Sequence, residues 1–568
     1  MKLSRVALAV VLGATLLRAQ GKSPHADKTL NTLHVTTQLV VVNVIAKDRH
    51  GHPVKGLTRD DFTVLDNGSP QKLSIFQVEE TRAAQEGPAK LPPGTYSNLP
   101  ARAAGAAPAV TVILLDALNT PWEDQVWSRG EVVKFLEQMQ PGDRVALYGL
   151  GRELRVLHDF TTDASTLLQA LGIYRERIAS ELASSEPQQS SEGLLAMGGR
   201  AGAEIRASNL AQFMDQSEQR MEDFYVKHRA RLTVRALLQI AVHLQGFPGR
   251  KNLIWVSGSF PMGEGLARLL NTGSFTNQQV YGPEVEGVAR ALSYSDLAVY
   301  PVDARGLMTL GRYSALQHRR RDTRSMGADF AVMDVLAERT GGRAYYNTNN
   351  VRGALRRVLD DSRLNYVLGY YPRSAKWKGE YRKIKVEVHQ PGVHLQYRRG
   401  YVALPEEQTS TESDDRLMNA AVISPIEATA IGLTVRLFSV TAKETPPGGS
   451  QQSYSLQLDL HVDLRDVSHP APGVPWDGSL TLLLAEVGPK GDVLHAVSHK
   501  LALNIPAQVQ AKLLEQGFDA RENLQAAAGA ETLRVVVRDD STGNLGSVDV
   551  PLAKVIPAAA PHDGPPAR

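Results

Sequence analysis

The segment Val110–Asp116, with the sequence VTVILLD, constrains the fold of this chain more than any other feature. It is a nearly continuous aliphatic run, without the alternation of a strand that faces water on one side. Such a run is typical of a strand buried on both faces, which requires a layer of helices on each side of its sheet. The segment therefore predicts a buried strand of an α/β sheet.

The chain that follows alternates between helical and strand patterns. Predicted helices cover residues 124–139, 165–171, 232–244, 285–293, 330–339 and 351–361. Predicted strands cover residues 144–149, 154–159, 252–256, 298–302 and 343–346. Alternating units of this kind imply a mainly parallel sheet with helices on both faces. We therefore predict a doubly wound, Rossmann-like α/β domain over residues 109–362.

Residues 175–231 interrupt this alternation, because they are longer than a crossover requires and rich in Ser, Gln, Glu and Arg. Apolar and aromatic residues recur at helical spacing at Leu210, Phe213, Met214, Met221, Phe224 and Tyr225. They predict a helical insertion, which either packs on its own domain or binds a partner.

Strand patterns flank the α/β domain on both sides. Before it, residues 33–46 and 61–78 are rich in β-branched residues, with a hairpin signal at Asn67-Gly68. Residues 83–108 are rich in Ala, Gly and Pro and are predicted to be a linker. After it come strand patterns at 365–371, 381–388 and 393–402. We predict that residues 30–82 and 363–404 pair as a small β-sandwich into which the α/β domain is inserted.

A further β region follows a polar linker at residues 405–420. Residues 454–464 alternate apolar and polar side chains, which indicates a half-buried antiparallel strand. Residues 480–487 and 533–537 continue the β character. We predict a C-terminal β-sandwich-like domain over residues 421–556 and a disordered tail over 557–568.

The first residues have the pattern of an export signal. Lys2 and Arg5 precede an apolar run at residues 6–17, and Leu17-Arg18-Ala19 ends in a small residue. This predicts a signal peptide over residues 1–19 and a periplasmic or extracellular location. Because no other apolar stretch approaches the length that crosses a bilayer, we predict no membrane span in the mature chain.

Charge and cysteine content exclude several classes of function. The formal net charge is +3, and Lys2, Arg5 and Arg18 of the predicted signal supply all of it. A chain that is neutral beyond its signal has no global field to hold nucleic acid. The chain contains no cysteine, which excludes disulfides, thiolate metal sites and cysteine nucleophiles.

Polar residues lie where three of the predicted strands end. They are Asp116, Asn119 and Thr120 after the first strand, Ser257 and Ser259 after the strand at 252–256, and residues 303–306 after the strand at 298–302. In open α/β sheets, ligands bind beyond the carboxyl ends of the strands. This edge is therefore the candidate functional site.

Enzymatic motifs are weak at this edge. Ser257-Gly258-Ser259 follows a buried strand, but its flanks do not match the G-x-S-x-G motif of a nucleophile elbow. The chain also lacks the G-x-x-x-x-G-K-[ST] and G-x-G-x-x-G phosphate loops. We therefore expect a protein that is not an enzyme.

Four segments resemble von Willebrand factor type A domains. They are LLDALNTPWEDQ at 114–125, PGRKNLIWVSGSF at 248–260, LAVYPVDARGL at 297–307 and LAERTGGRAYYNT at 336–348. The type A resemblance covers about residues 108–361. Over most of the mature chain the sequence is similar to bacterial exported proteins with a "VWFA-related domain".

The resemblance implies a metal-ion-dependent adhesion site at the same edge. In that family a D-x-S-x-S loop, a distant Thr and a distant Asp hold Mg²⁺ or another divalent cation. Asp116 and Thr120 match the loop, and Thr233 is the candidate distant Thr, whereas Leu118 and Ser257 depart from the pattern. Two alternatives stay open: a divalent-cation site with Asp116, Thr120 and Thr233, or a vestigial loop that is held by hydrogen bonds to Asp116 and requires no cofactor.

The leading hypothesis is a secreted or periplasmic binding protein with a degenerate adhesion site. It would present Asp116, Asn119, Thr120, Ser257 and Ser259 to a protein or glycan ligand. The alternative is a structural or assembly component of the cell envelope, in which the α/β edge is inert. A serine hydrolase using Ser257 or Ser259 is a remote third hypothesis.

Overall fold

The structure is a computed structural model of the 568-residue chain. It describes residues 39–80, 91–99, 109–183, 225, 228–247, 249–260, 292, 295–307, 322–372, 380–403, 418–442, 454–526 and 529–552. The predicted signal peptide, the C-terminal tail, most of the predicted insertion and most of the predicted helix at 285–293 lie outside these residues.

The strands and helices are numbered in chain order. The strands are β1 (Val40–Lys47), β2 (Phe62–Asp66), β3 (Ser69–Gln71), β4 (Leu73–Glu80), β5 (Thr95–Ser97), β6 (Val110–Asp116), β7 (Arg144–Leu150), β8 (Leu154–Thr161), β9 (Lys251–Ser257), β10 (Leu297–Asp303), β11 (Leu364–Tyr370), β12 (Glu380–Val388), β13 (His394–Gln396), β14 (Gly400–Ala403), β15 (Leu433–Ala442), β16 (Tyr454–Val462), β17 (Trp476–Val487), β18 (Val493–Ile505), β19 (Phe518–Ala526), β20 (Thr532–Asp539) and β21 (Leu545–Pro551). The helices are α1 (Trp122–Leu136), α2 (Ala164–Ala183), α3 (residues 228–244), α4 (Asp322–Thr340), α5 (Val351–Asp361) and α6 (Ala507–Gln516).

A five-stranded sheet forms the centre of the α/β region, in the order β10-β9-β6-β7-β8. The first four strands in this order are parallel, and β8 joins the edge antiparallel to β7. Every residue of β6, β9 and β10 is buried, as their unbroken apolar character predicts. The chain passes from β6 to β7 on one side and later to β9 and β10 on the other, so a topological switch point lies between β6 and β9.

Helices cover both faces of this sheet. Val112 and Leu114 of β6 pack in a core with residues of α3 and α4. Ile113 and Leu115 face the opposite way and pack in a second core with α1, α2 and α5. The alternation of neighbouring β6 residues between two apolar layers explains why nearly all of its residues are apolar. The predicted mixed α/β character is therefore confirmed.

Three of the predicted α/β elements differ clearly from the structure. The helix predicted at residues 330–339 begins eight residues earlier, because α4 starts at Asp322. The helix predicted at residues 165–171 continues as α2 to Ala183, into the segment predicted to be an insertion. Residues 343–346 do not form a strand: they contribute a single parallel bridge, between Tyr345 and Val302 of β10. A short run of β-branched or aromatic residues does not reveal how many of its residues find a partner strand.

Strands on either side of the α/β region pair with each other. β11 pairs with both β1 and β4, and β12 pairs with β2. The sheets β13-β1-β11-β4 and β14-β12-β2-β3 enclose a common apolar core. Asn67 and Gly68 connect β2 to β3 with φ of 47° and 81°, the positive values that a type I′ turn requires.

The C-terminal region contains two four-stranded sheets, β19-β16-β15-β5 and β18-β17-β20-β21, which share one core. Strand β5 lies within residues 83–108, so their interpretation as a linker is wrong in part. Its three residues pair with β15, and the buried Asn98 donates to the carbonyl groups of Ala428 and Ile431 at 2.7 and 2.9 Å. Composition could not reveal this, because the partners lie more than 300 residues away.

In the described part of the chain, no helix combines the length and the apolar character needed to cross a membrane.

Candidate site at the carboxyl edge of the sheet

Asp116 ends β6 and organises the loop that follows. Its side chain is buried, with 2% of its surface exposed. Atom Oδ1 accepts a hydrogen bond from the backbone N–H of Asn119 at 3.0 Å. This bond closes a tight turn of the kind that Asp forms with a backbone N–H a few residues on. The loop is therefore fixed by its own first residue.

The second carboxylate oxygen of Asp116 accepts three more hydrogen bonds. The donors are Asn119 Nδ2 at 2.9 Å, Trp255 Nε1 at 3.0 Å and Ser257 Oγ at 2.8 Å. Trp255 and Ser257 lie two positions apart on β9, so their side chains point to the same side of the sheet, beside β6. Burial raises the pKa of Asp116, and these hydrogen bonds oppose that rise.

Asn119 connects Asp116 to a third element. Its Nδ2 also donates to Thr233 Oγ1 on α3 at 2.9 Å, and the Thr233 side chain is fully buried. The Thr233 hydroxyl donates its own proton to the Arg229 carbonyl at 2.9 Å, as threonine in a helix commonly does. The structure thus brings Asp116, Asn119, Thr233 and Ser257 into one network. We call these four residues with Trp255 the Asp116 network.

Thr120 and Ser259 are near this network and contribute differently from what the sequence predicts. Thr120 Oγ1 accepts the backbone N–H of Gly258 at 2.8 Å and so links the loop after β6 to the loop after β9. Ser259 takes part through its carbonyl oxygen, which lies 2.7 Å from Ser257 Oγ. Gly258 is tightly enclosed, because a Cβ there would lie 3.1 Å from Pro121.

The residues present do not fit a divalent cation. Hard cations require several oxygen ligands, but here an N–H₂ group points at both Asp116 Oδ2 and Thr233 Oγ1. Leu118, at the position where the D-x-S-x-S pattern has its middle Ser, packs against the apolar core. The described residues also include no cluster of three or more His, Cys, Asp or Glu side chains that could hold a metal ion.

Asp303 at the end of β10 is neutralised locally. Its carboxylate accepts two hydrogen bonds from the Arg305 guanidinium, at 2.8 and 3.1 Å, and is almost fully buried. The side chain of Asp303 therefore orders the loop after β10, which is the third loop at this edge.

Trp255 is the member of the Asp116 network that the sequence analysis missed. A signal was available, since Trp255 and Ser257 share one face of β9 by strand periodicity. Asn119 was predicted to lie at the site, but its bridging contact with Thr233 was not predicted. A bond between residues 114 positions apart leaves no local pattern.

Apolar side chains are exposed immediately beside the loop. Trp122 and Val126, at 40% and 53% exposure, lie four residues apart on α1 and share one face. We call these two residues the edge patch. The Arg129 guanidinium lies over the Trp122 ring at 5.1 Å. Leu307, in the loop after β10, is also exposed.

The sequence matches no protein-family model, and no curated protein matches it significantly. Among solved structures, the chain is similar to the vWF domain of the type V pili tip protein Mfa5 from Porphyromonas gingivalis, with 11% identity and a TM-score of 0.19 over 44% of this chain and 94% of that one. It is also similar to an aerotolerance-related membrane protein from Bacteroides fragilis, with 14% identity and a TM-score of 0.22 over 44% and 98% of the two chains. A third similar structure is the pilus adhesin SpaC from Lactobacillus rhamnosus GG, with 10% identity and a TM-score of 0.25 over 83% and 57%. The α/β assignment rests on the strand order and parallel register described above, and no function follows from these likenesses.

Proposed function

We propose that this chain is an exported, non-enzymatic binding protein. Its type A-like α/β domain, inserted between the strands of a small β-sandwich, presents the carboxyl edge of its sheet to a protein or glycan ligand without a metal ion. The observation that carries this proposal is the exposure of Trp122 and Val126 beside a loop whose polar groups are buried and hydrogen-bonded. Exposed aromatic side chains at a rigid site are typical of binding surfaces.

The rigidity of the loop supports binding without reorganisation. Asp116 accepts four hydrogen bonds, and Thr120 connects its loop to the loop after β9. A surface that is ordered before binding loses less conformational entropy when a partner docks. The Asp116 network therefore serves as a support for the edge patch and is not itself the contact surface.

The environment of Ser257 supports a role other than hydrolysis. Its side chain is fully buried, and its hydroxyl lies within hydrogen-bond distance of Asp116 Oδ2 and the Ser259 carbonyl oxygen. A nucleophilic serine needs a base that accepts its proton and an open approach for the substrate. The fully buried hydroxyl of Ser257 has no open approach for a substrate.

A structural role in the cell envelope is the second candidate, and strand β18 favours it. This strand of 13 residues lies at the edge of its sheet, with Val493 and Leu494 exposed. Long exposed edges of this kind pair with strands from other chains. In this case the C-terminal β region would make the contacts and the α/β edge would be inert.

Capture experiments with matched variants distinguish the two candidates. The mature chain would be immobilised and exposed to envelope and culture fractions, with captured proteins identified by mass spectrometry. We compare the edge variant Trp122→Ser/Val126→Ser, the strand variant Leu494→Lys, and the control Ile423→Ser, which alters a comparably exposed apolar residue elsewhere. Binding at the α/β edge predicts that only the edge variant loses its partner, in the presence or absence of EDTA.

Loss of the partner in Leu494→Lys alone would instead support the structural candidate and refute binding at the α/β edge. Export is tested separately. The amino-terminal sequence of the protein recovered from the periplasm or medium should begin just after residue 19. An uncleaved cytoplasmic chain would contradict export.

A further inference from the structure

The side-chain amide of Asn119 holds two oxygen atoms from different elements at equal distances. Its Nδ2 lies 2.9 Å from Asp116 Oδ2, at the end of β6, and 2.9 Å from Thr233 Oγ1, on α3. We propose that this amide group links the two oxygens as a bound cation would. We further propose that the single substitution Asn119→Asp converts the Asp116 network into a divalent-cation site. The proposal concerns the α/β domain itself and does not depend on the identity or existence of a partner.

The hydrogen-bond chemistry of the neighbours determines the orientation of the amide. Thr233 gives its hydroxyl proton to the Arg229 carbonyl, so its oxygen faces Asn119 as an acceptor. An ionised Asp116 has only acceptors. Turning the amide around would direct its carbonyl oxygen at a carboxylate and at a hydroxyl oxygen whose proton is already used. The N–H₂ group is therefore the end that faces both oxygens.

The other end of the amide indicates that the contacts with Asp116 and Thr233 determine how the Asn119 side chain is oriented. Asn119 Oδ1 is buried and has no hydrogen-bond partner among the described residues. A buried acceptor without a donor costs about 1–3 kcal/mol. The side chain keeps this orientation despite the penalty, because both N–H groups of its amide are hydrogen-bonded. The contacts with Asp116 and Thr233 therefore determine its position.

The Asn119 amide also helps to stabilise the negative charge of Asp116, as a cation would. The carboxylate is buried at the switch point of the sheet, and its hydrogen bonds come from neutral groups, namely an amide, an indole, a hydroxyl and a backbone N–H. Such dipoles stabilise a buried negative charge without a full positive charge. Of these donors, the Asn119 amide is the one that also binds a group on a helix, so it joins the loop after β6 to α3 as a coordinated ion would.

The distances from Asn119 Nδ2 to the two oxygens suit the converted site. Two ligands at right angles on Mg²⁺, with bonds of about 2.1 Å, lie roughly 3 Å apart. In Asn119→Asp, a carboxylate oxygen would take the position of Nδ2, at about this separation from Asp116 Oδ2 and Thr233 Oγ1. The variant would then offer two carboxylates and a hydroxyl, the oxygen donors that Mg²⁺ and Mn²⁺ prefer. Without a cation, the two buried carboxylates repel each other and one must take up a proton.

Thermal unfolding of the full mature chain, with and without Mn²⁺, tests the proposal. We expect the wild-type Tm to be the same in EDTA and in millimolar Mn²⁺. Asn119→Asp should have a lower Tm in EDTA and should recover by several degrees, saturably, as Mn²⁺ is added. Electron paramagnetic resonance of the added Mn²⁺ should show bound ion in this variant and only free ion with the wild type.

Asn119→Ala is the matched control, since it removes the bridge without adding a charge. It should have a lower Tm than the wild type and no response to Mn²⁺, and it keeps the test valid if Asn119→Asp does not fold in EDTA. Three results would each overturn the proposal: a saturable rise of the wild-type Tm with Mn²⁺, an unchanged Tm in Asn119→Ala, or a folded Asn119→Asp that binds no Mn²⁺. Partner capture enters none of these measurements, so their failure is distinguishable from failure of the proposed binding function.

Discussion

The backbone N–H of Gly246 donates to Thr429 Oγ1 at 3.0 Å, and a Cβ atom at Gly246 would lie 1.6 Å from the Thr429 carbonyl oxygen. Gly246 follows α3, and Thr429 precedes β15, so this contact joins the α/β region to the C-terminal β region. Neighbouring contacts support it, among them a hydrogen bond from Gln245 Nε2 to Asn544 Oδ1 at 2.8 Å. The approach of the two backbones leaves no space for a side chain.

We therefore expect Gly246→Ala to destabilise this junction. The methyl group must displace the backbone at Thr429, and overpacking of this kind typically costs about 1–3 kcal/mol. Urea unfolding of the mature chain measures the change in the free energy of unfolding. Gly130→Ala is the control, because Gly130 is helical and a Cβ there meets no atom within 4 Å. It should stabilise α1 by up to about 1 kcal/mol. Equal effects of the two substitutions would show that the junction is not tightly packed.

The same junction contains a carboxyl group that titrates near neutral pH. Burial raises the pKa of Glu427 from 4.5 to about 7, and its Oε1 accepts the Asp549 N–H at 2.9 Å. The hydrogen bond from the Asp549 N–H and the charge of Arg534 oppose the rise in pKa, whereas the negative charges of Asp549 and Asp159 add to it. A carboxyl whose pKa is higher in the folded state holds its proton there more tightly. Its contribution to stability is therefore present at low pH and is lost as the pH rises from 4.5 to about 7.

Glu427→Gln should remove this loss of stability with rising pH, because a glutamine side chain does not ionise. Its side-chain oxygen can still accept the Asp549 N–H. Above neutral pH the variant should be more stable than the wild type, by up to about 3 kcal/mol from the size of the pKa shift. His243 contributes the opposite slope, because burial lowers its pKa from 6.5 and its stability contribution falls as the pH drops. Urea unfolding across this pH range measures both slopes, with the exposed Glu515→Gln as the control. A Glu427→Gln profile parallel to that of the wild type would contradict the prediction.

The sequence predicts the elements whose signals are local. The apolar runs of β6, β9 and β10 indicate strands buried on both faces, and all their residues are buried. The predicted helix at 351–361 coincides with α5, whose apolar residues recur on one face and whose N-cap, Asn350, accepts the Gly353 N–H at 2.8 Å. Periodicity and capping belong to neighbouring residues, so one sequence suffices to detect them.

Contacts between distant segments explain what the sequence did not predict. The Asp116 loop could be placed at the carboxyl edge, because parallel strands end together. Its chemistry depends on Thr233 and Trp255, which lie 114 positions after Asn119 and 139 after Asp116. The pairing of β5 with β15 depends in the same way on segments far apart in the chain. No local pattern in a single sequence encodes such pairings.

A buried ion pair stabilises the sandwich that flanks the α/β region. Asp66, which is fully buried, accepts from Arg382 Nε at 2.8 Å, from Tyr401 Oη at 2.8 Å and from Tyr370 Oη at 3.1 Å. Arg382→Met should lower the free energy of unfolding by about 3–5 kcal/mol, because it leaves a buried carboxylate without its cation. Tyr401→Phe should cost only about 1 kcal/mol, since a neutral donor is lost.

Chemical denaturation measures both changes, and the double variant Asp66→Leu/Arg382→Met provides the decisive comparison. Replacing both partners by apolar residues removes the uncompensated charge, so the double variant should be more stable than Arg382→Met alone. A double variant that is less stable than the single one would contradict this prediction, and would show that loss of the acceptor for Tyr370 and Tyr401 outweighs relief of the uncompensated charge.

Ser257 and Ser259 provide a paired test of the carboxyl edge. Ser257→Ala removes a buried donor to Asp116 and should lower the free energy of unfolding by about 1–3 kcal/mol. It should also raise the pKa of Asp116 further, because a bond that stabilises the charged form is lost. A carboxyl with a raised folded-state pKa contributes less to stability as the pH rises, so the defect should grow as the pH rises from the ordinary pKa of an Asp side chain. Ser259→Ala should have little effect on the free energy of unfolding, since Ser259 joins the network through its backbone carbonyl.

Urea unfolding at acidic and alkaline pH measures the effects of both substitutions, and a serine-reactive phosphonate should label neither residue in the wild type. Equal stability of the two variants would show that the Ser257 hydroxyl is not engaged by Asp116. Labelling of Ser257 would show that this hydroxyl is available for chemistry.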